Sequence, residues 1–92
     1  MIKSWKHKGL KLFFETGNTV GIQAKHAKRL RIQLGVLNAA VRAEDLDLPG
    51  FCFHRLKGDK KGYFAISVSG NWRLTYKFDG RDAILVNYED YH

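Results

Sequence analysis

Hydrophobic and polar residues follow two different repeats in the two halves of this 92-residue chain. In the first half, apolar residues recur every three or four positions, which is the repeat of an amphipathic helix. We predict helices over Lys6–Thr16 and Ile22–Arg42, and Gly17 is a typical residue for ending the first. The second helix carries one apolar stripe that is predicted to pack on a sheet: Ala27, Leu30, Leu34, Leu37 and Val41.

Beyond the acidic Glu44–Gly50 loop, apolar and polar residues alternate, as in strands that bury one face. Strands are predicted over five segments: Ile2–Trp5, Phe51–Leu56, Tyr63–Val68, Trp72–Phe78 and Ala83–Val86. The length suits one modest core, so we expect residues 1–92 to form a single domain.

The alternation also predicts a register for the central hairpin. A three-residue loop, Ser69-Gly70-Asn71, pairs the apolar residues of both strands on one face: Val68 with Trp72, Ile66 with Leu74 and Phe64 with Tyr76. A two-residue loop would place Ile66 opposite Arg73 and is therefore rejected. The face away from the core then carries Tyr63, Ser67, Arg73, Thr75 and Lys77.

The last hairpin leaves two registers open. A four-residue loop from Asp79 to Asp82 would align Asn87 with Arg73, whereas a two-residue loop would shift that pairing. With the longer loop, the chain end meets the end of the sheet that carries Asn71.

The charge of the chain favours a polyanionic partner. The formal net charge is +7 with a pI of about 9.8, and residues 1–42 carry nine Lys and Arg residues against one Glu. Such an excess of positive charge indicates nucleic acid or an acidic protein surface.

The single cysteine and the absence of a long apolar segment indicate the compartment. Cys52 lies between Phe51 and Phe53, so we predict a packed strand residue rather than a nucleophile. One cysteine forms no intrachain disulfide, which suits a reducing compartment. No segment resembles a signal peptide or a membrane span, so the prediction is a cytoplasmic protein without a membrane partner.

The chain ends on three proton-handling side chains, Asp90-Tyr91-His92, directly after an apolar strand. Imidazole titrates near neutral pH, and His54 supplies a second one beside Lys57. RNA hydrolysis requires a base for the 2′-OH, cations on the phosphate and an acid for the leaving oxygen. These side chains together with Arg73 match that requirement. The alternatives are a solvated tail and a His54 that is satisfied within the core.

Two other uses of the histidines are less favoured. Asp90, His92 and His54 include metal-ligand types, but their spacing matches no recognised pattern and Lys57 and Arg73 would oppose a cation. We therefore predict neither a metal nor another cofactor. His7 and His26 are predicted to be surface residues of the helices.

Five runs of sequence together resemble the HigB toxins, a branch of the RelE/ParE superfamily of bacterial toxin–antitoxin systems. The runs are Met1–Leu10, His54–Asp59, Gly62–Val68, Asn71–Leu74 and Asp90–His92. The resemblance implies an α+β fold with two N-terminal helices packed on a small, mainly antiparallel sheet. It also implies ribosome-dependent cleavage of mRNA in the decoding site. The implied partner is a cognate HigA-type helix-turn-helix antitoxin, which would link the toxin indirectly to operator DNA.

The resemblance also implies roles for particular residues. Catalytic positions of the family match His54, Arg73, Asp90, Tyr91 and His92, and mRNA-binding positions match Lys57 and Asn71. Arg73 would stabilise the charge on the phosphorane, and His54 and His92 would be acid and base in either order. Asp90 would orient a histidine or act as a base, and Tyr91 would stack on a base or donate a proton.

Two non-enzymatic functions remain as alternatives. A ParE-like toxin would inhibit DNA gyrase on the same fold, and a plain RNA-binding module would explain the charge. Neither requires titratable groups gathered at one site. For the antitoxin, we predict a contact surface on the second helix around Lys25, Lys28, Ile32 and Val36.

Overall fold

A computed structural model describes residues 1–91, and it has the predicted α+β architecture. The elements are α1 (Lys8–Thr16), α2 (Ala27–Ala39), β1 (His54–Arg55), β2 (Phe64–Ser69), β3 (Trp72–Asp79) and β4 (Asp82–Asp90). The four strands form one antiparallel sheet in the order β1-β2-β3-β4. The predicted N-terminal strand is reduced to two parallel bridges, from Ile2 to Ala83 and from Trp5 to Val86. Within residues 1–91, no helix has both the length and the apolar character needed to cross a membrane.

Both helices are shorter than the apolar repeat predicts. The Nδ1 atom of His7 accepts the backbone N–H of Leu10 at 2.9 Å and so caps α1, which therefore starts at Lys8. Gly17 ends α1 as predicted, with a φ of 81° that glycine adopts without strain. A 3₁₀ turn over Ala24–His26 precedes α2, and the backbone becomes extended at Ala40.

The helices cover one face of the sheet and bury the core there. The fully or nearly buried side chains include Leu10, Phe13, Leu30, Leu34 and Leu37 from the helices and Ile66, Leu74, Tyr76, Val86 and Tyr88 from the sheet. The stripe predicted for α2 is confirmed over Leu30, Leu34 and Leu37. It is wrong for Val41, which lies beyond the end of α2 and is 44% exposed.

The β2–β3 hairpin has most of the predicted residue pairs, but its turn differs from the predicted one. Ile66 pairs with Leu74 and Phe64 pairs with Tyr76, but Trp72 pairs with Ser69 instead of Val68. The turn therefore has two residues, and a bulge between Ser67 and Ser69 takes up the extra residue of β2. The loop length was wrong, because a bulge changes the register without changing the apolar pattern.

The β3–β4 hairpin uses the two-residue turn, since Asp79 pairs with Asp82. A second bulge follows at Leu85, which has a φ of 54° and donates its backbone N–H to Ser4 Oγ at 2.8 Å. Beyond this bulge, Asn87 pairs with Thr75. The alternative that aligned Asn87 with Arg73 is therefore wrong, and Arg73 faces a different residue of β4.

The predicted strand over Phe51–Leu56 is reduced to β1, His54–Arg55. Cys52 has a φ of 51°, which breaks the extended conformation just before β1. The Cys52 side chain is exposed, so the prediction of a packed strand residue was wrong.

Candidate active site

The sheet face opposite the helices, here called the outer face, carries an ion pair between Arg73 and Glu89. The two residues are directly opposite each other on β3 and β4. Arg73 Nε donates to Glu89 Oε1 at 3.1 Å, and Arg73 Nη2 lies 3.1 Å from the same oxygen. The Arg73 side chain is only 11% exposed and that of Glu89 is 24% exposed. This contact uses the Nε and Nη2 edge of the guanidinium and does not use Nη1.

Lys60 and Tyr91 complete this cluster from two other segments. Lys60 lies in the turn Gly58–Lys60, and its Nζ is 3.6 Å from Glu89 Oε2. The guanidinium carbon of Arg73 lies 4.2 Å from the centre of the Tyr91 ring. Two cations therefore flank one carboxylate, and the chain end packs against the arginine predicted to stabilise phosphate.

Asn71 holds Tyr91 in this position through its backbone. The Asn71 carbonyl oxygen accepts the backbone N–H of Tyr91 at 3.1 Å, which continues the β3–β4 pairing past the end of β4. The Asn71 side chain is in the exposed β2–β3 turn. Tyr91 therefore meets the Asn71 end of the sheet, as predicted for the four-residue loop, although the hairpin has a two-residue turn and a bulge instead.

His54 is on β1, two strands from β3. Two strand spacings are about 10 Å, so His54 and Arg73 are on one sheet without being neighbours. His54 is exposed, which rules out a histidine satisfied within the core. Its Nδ1 lies 2.9 Å from the Cys52 carbonyl oxygen. A carbonyl only accepts, so Nδ1 is the donor in this contact, and Nε2 is then the acceptor nitrogen of the neutral ring.

Lys57 lines a cleft at the edge of the sheet. The cleft has a volume of about 400 Å³ and its wall includes Leu56, Lys57, Lys61, Tyr63 and Phe64. Lys57 is exposed there. It is thus a cation at the rim of the outer face, beside an apolar cavity.

Asp90 and Glu89 lie on opposite sides of β4 because neighbouring strand residues point to opposite faces. Asp90 pairs with Trp72, whereas Glu89 pairs with Arg73. The carboxylate beside Arg73 is therefore Glu89, which the sequence did not single out. His92 lies outside the described residues, so its place in the site stays a prediction.

The sequence pattern does not single out Glu89 and Lys60, because their position beside Arg73 depends on the bulge at Leu85. A plain two-residue turn, without a bulge, would place Arg73 opposite Tyr88. Only the extra residue of β4 brings Glu89 into line with Arg73. No apolar repeat marks such a bulge, and Lys60 comes from a turn whose path depends on the sheet.

A second cluster on the outer face surrounds the ring of Tyr63. Lys6 Nζ donates to the Tyr63 hydroxyl at 3.2 Å and lies 5.1 Å from the ring centre. Lys77 Nζ lies 5.2 Å from the same centre. The predicted register placed Thr75 on the correct side of the sheet. Its side chain is nevertheless buried there, with only 3% exposed.

His26 and His7 are not the surface residues that the sequence predicted. His26 is 4% exposed, and its Nδ1 lies 2.6 Å from the Tyr88 hydroxyl, which also accepts the backbone N–H of Gln23 at 3.4 Å. His7 caps α1 and packs edge-on against Tyr88. Burial lowers the pKa of both histidines and raises that of Tyr88. These histidines therefore join α1 and the turn before α2 to β4.

No group of three or more His, Cys, Asp or Glu side chains in the described part of the chain is arranged to hold a metal ion. The cations around Glu89 instead suit an anionic ligand. A phosphate beside Arg73 Nη1 would meet positive charge from Arg73 and Lys60, with Tyr91 packed against the guanidinium. The arrangement is suited to phosphoryl chemistry on a polyanion.

Comparisons with known proteins agree with this chemistry. A family model described as the RelE-like toxin HigB of type II toxin–antitoxin systems matches residues 3–92. The curated protein endoribonuclease HigB of Proteus vulgaris is 47% identical over 92 residues, which cover 100% of both chains. The likeness thus extends through both helices and the whole sheet.

Proposed function

Because the chain belongs to the HigB-like family of RelE-type toxins of type II toxin–antitoxin systems and is an endoribonuclease, we propose that it cleaves mRNA in the decoding site of the ribosome. Cleavage there stops translation and growth. Membership of a type II system implies an antitoxin partner. We propose a HigA-type helix-turn-helix antitoxin, through which the toxin reaches operator DNA, and place the activity in the cytoplasm. Gyrase inhibition and plain RNA binding leave the endoribonuclease activity unexplained.

The internal partners of three aromatic rings support the need for a ribosome. Proteins that bind single strands stack bases on aromatic side chains. Here Tyr63 contacts two lysines, Trp72 stacks on Tyr88 at 4.6 Å, and Tyr91 packs against Arg73 at 4.2 Å. Each ring that would splay a free strand already has a partner. A ribosome that holds the codon in place would supply the alignment, which is worth roughly 7–11 kcal/mol when complete.

The cleavage step is a transesterification within the RNA. The Nε2 atom of His54 takes the proton of the 2′-OH, and the 2′-oxygen attacks the adjacent phosphorus. Arg73 Nη1 and Lys60 stabilise the added negative charge, while Lys57 and Asn71 hold the strand. The bond to the 5′-oxygen breaks, which yields a 2′,3′-cyclic phosphate and a 5′-hydroxyl end.

The proton for the leaving 5′-oxygen comes from the chain end in this mechanism. Tyr91 lies beside Arg73, and His92 follows it directly. Asp90, two positions before His92 in the sequence, orients the histidine. An imidazole is the better acid near neutral pH, so we give the proton transfer to His92 and the packing against Arg73 to Tyr91.

The decisive experiment compares one mRNA free in solution with the same mRNA on assembled ribosomes. Purified toxin is added to both, and the cut sites and their 5′ and 3′ ends are mapped. We expect cuts only within the codon in the decoding site, with cyclic phosphate ends. Equal cutting of free mRNA would overturn the ribosome requirement, and intact mRNA in both samples would overturn the proposed function.

A further inference from the structure

Two lysines from distant parts of the sequence meet at the Tyr63 ring. Lys6 precedes α1, Tyr63 precedes β2, and Lys77 lies within β3. Both ammonium groups lie just over 5 Å from the ring centre, at 5.1 and 5.2 Å. We call Lys6, Tyr63 and Lys77 the Tyr63 cluster.

Within residues 1–91, the two lysines lack acidic partners of the kind that Lys60, Arg73 and Arg55 have. Lys60 and Arg73 share Glu89, and Arg55 pairs with Glu44 at 2.8 Å. Among residues 1–91, neither lysine of the Tyr63 cluster forms an ion pair with a carboxylate. Like charges repel, so gathering two of them around one ring without an acid disfavours the unliganded protein. A bound anion would remove that repulsion.

The register of β3 places this cluster at a defined distance from Arg73. Residues 73 and 77 point to the same face and are four positions apart. At about 3.3 Å per residue, their Cα atoms are roughly 13 Å apart along the strand. One phosphate group cannot contact both positions, but successive phosphates of one strand can.

We propose that the Tyr63 cluster is a second phosphodiester-binding subsite, which holds the mRNA strand beyond the phosphate cleaved at Arg73. This inference rests on the proposed function, since it concerns the path of the same mRNA. The subsite recognises phosphate rather than a base, so it fixes the position of the strand without reading its sequence. Tyr63 holds both ammonium groups toward the outer face through its hydroxyl and its ring.

Each lysine of the subsite contributes a separable part of mRNA binding. Lys6→Gln and Lys77→Gln are each expected to raise the KM for ribosome-bound mRNA about 5-fold, as for a charge contact at a partly exposed site. The kcat should change little, since neither side chain touches the reacting atoms. Lys11→Gln removes the same charge from the exposed side of α1 and should leave KM and kcat at wild-type values.

The test that identifies the partner combines these variants with a scan of the mRNA backbone. Single phosphates on both sides of the cleaved bond are replaced in turn by neutral methylphosphonates, and cleavage on ribosomes is measured. For the wild type, one replacement away from the cleaved bond should raise KM at least about 5-fold. That same replacement should have a smaller effect in Lys6→Gln and in Lys77→Gln and no effect in the variant that carries both changes, whereas Lys11→Gln should behave as the wild type does.

Each other result would overturn the subsite. If both lysine variants raise KM but no replacement has a smaller effect in them than in the wild type, the cluster binds ribosomal RNA instead. If wild-type KM responds to no phosphate outside the cleaved one, no second phosphate is held. If the wild type cuts the codon normally and both variants equal it, the cluster serves only the fold. A wild type that cuts no ribosome-bound mRNA would instead mark failure of the proposed function, and the subsite would fall with it.

Discussion

Arg73 and Glu89 face each other across β3 and β4, and two nitrogens of the guanidinium contact one carboxylate oxygen. Arg73 Nε and Nη2 are both 3.1 Å from Glu89 Oε1. The arginine side chain is almost enclosed, so its direction is set by this contact and by the Tyr91 ring. Glu89 therefore offsets one of the two positive charges beside it and at the same time sets the direction of Nη1. It acts as a positioning residue for the arginine that we place on the phosphate.

Replacing Glu89 separates these two effects. Glu89→Ala removes the support of Arg73, and we expect kcat on ribosomes to fall about 10–100-fold because misplaced groups lose that much. Glu89→Gln keeps an oxygen that accepts the same hydrogen bond, so most of kcat should return. Single-turnover cleavage at saturating ribosomes measures both variants. Equal losses would assign the effect to charge, and wild-type rates in both would contradict positioning.

Replacing Arg73 or His92 should abolish growth inhibition without unfolding the protein. Arg73→Ala removes the cation from the phosphate, and Arg73→Lys should also be weak because an ammonium lacks the planar fork that Glu89 and the phosphate would share. Growth after induction, scored beside thermal unfolding of the purified variants, is the measurement. Loss of a cooperative transition in Arg73→Ala or His92→Ala would show that the position is structural.

The sequence predicted the layers of the fold better than the details of the site. Apolar residues recur regularly through α2, β2 and β3. Packing of these residues in the core explains why the three elements form and which of their faces point inward. The bulges near Val68 and Leu85 leave this apolar pattern intact. The bulge near Leu85 and the two-residue turn before it nevertheless decide that Glu89, and not Asn87, lies opposite Arg73. The hydrogen bonds of Ser67 with α2 and of Leu85 with Ser4 form only in the folded chain, so the sequence pattern does not indicate them.

A close approach of two glycines gives a stability prediction. A Cβ added at Gly21 would lie 2.5 Å from the Cα of Gly9, so Gly21→Ala forces α1 and the following loop apart. We expect a loss of about 1–3 kcal/mol in the free energy of unfolding. Gly35→Ala, on α2, is the matched control, because a Cβ added there has no neighbouring heavy atom within 4 Å. It should stabilise by about 0.5–1 kcal/mol. Denaturant unfolding measures both changes. A change in the free energy of unfolding in the same direction for both variants would contradict this explanation.

The antitoxin surface predicted on α2 needs one change. Ile32 is 55% exposed, and Lys25 and Lys28 are also exposed, but Val36 packs partly against the core. We therefore expect Ile32 to be the apolar anchor and the two lysines to attract an acidic antitoxin surface. Reversing both lysines to Glu should weaken the complex at least 10-fold at low salt and leave toxicity intact, since rim charges act mainly on association. Titration calorimetry with the antitoxin measures it, and unchanged affinity would exclude this surface.

His26 should make the fold sensitive to mild acid. Burial, with a smaller contribution from Lys25, lowers the pKa of His26, and burial also lowers that of His7. In the unfolded chain both titrate near 6.5, so below that pH the unfolded state takes up protons that the folded state refuses. Stability is therefore full above about pH 6.5 and is lost as the pH falls from there toward the lowered folded-state pKa.

His26→Gln tests this assignment through the slope of stability against pH. The variant removes one of the two groups, so its melting temperature should fall less between pH 7 and pH 5 than that of the wild type. The lowered pKa of Asp45 acts in a separate window, because its ordinary value is 3.8. Thermal unfolding at half-unit steps of pH is the measurement. An unchanged slope between pH 7 and pH 5 would show that the buried contact of His26 with Tyr88 does not couple folding to protonation.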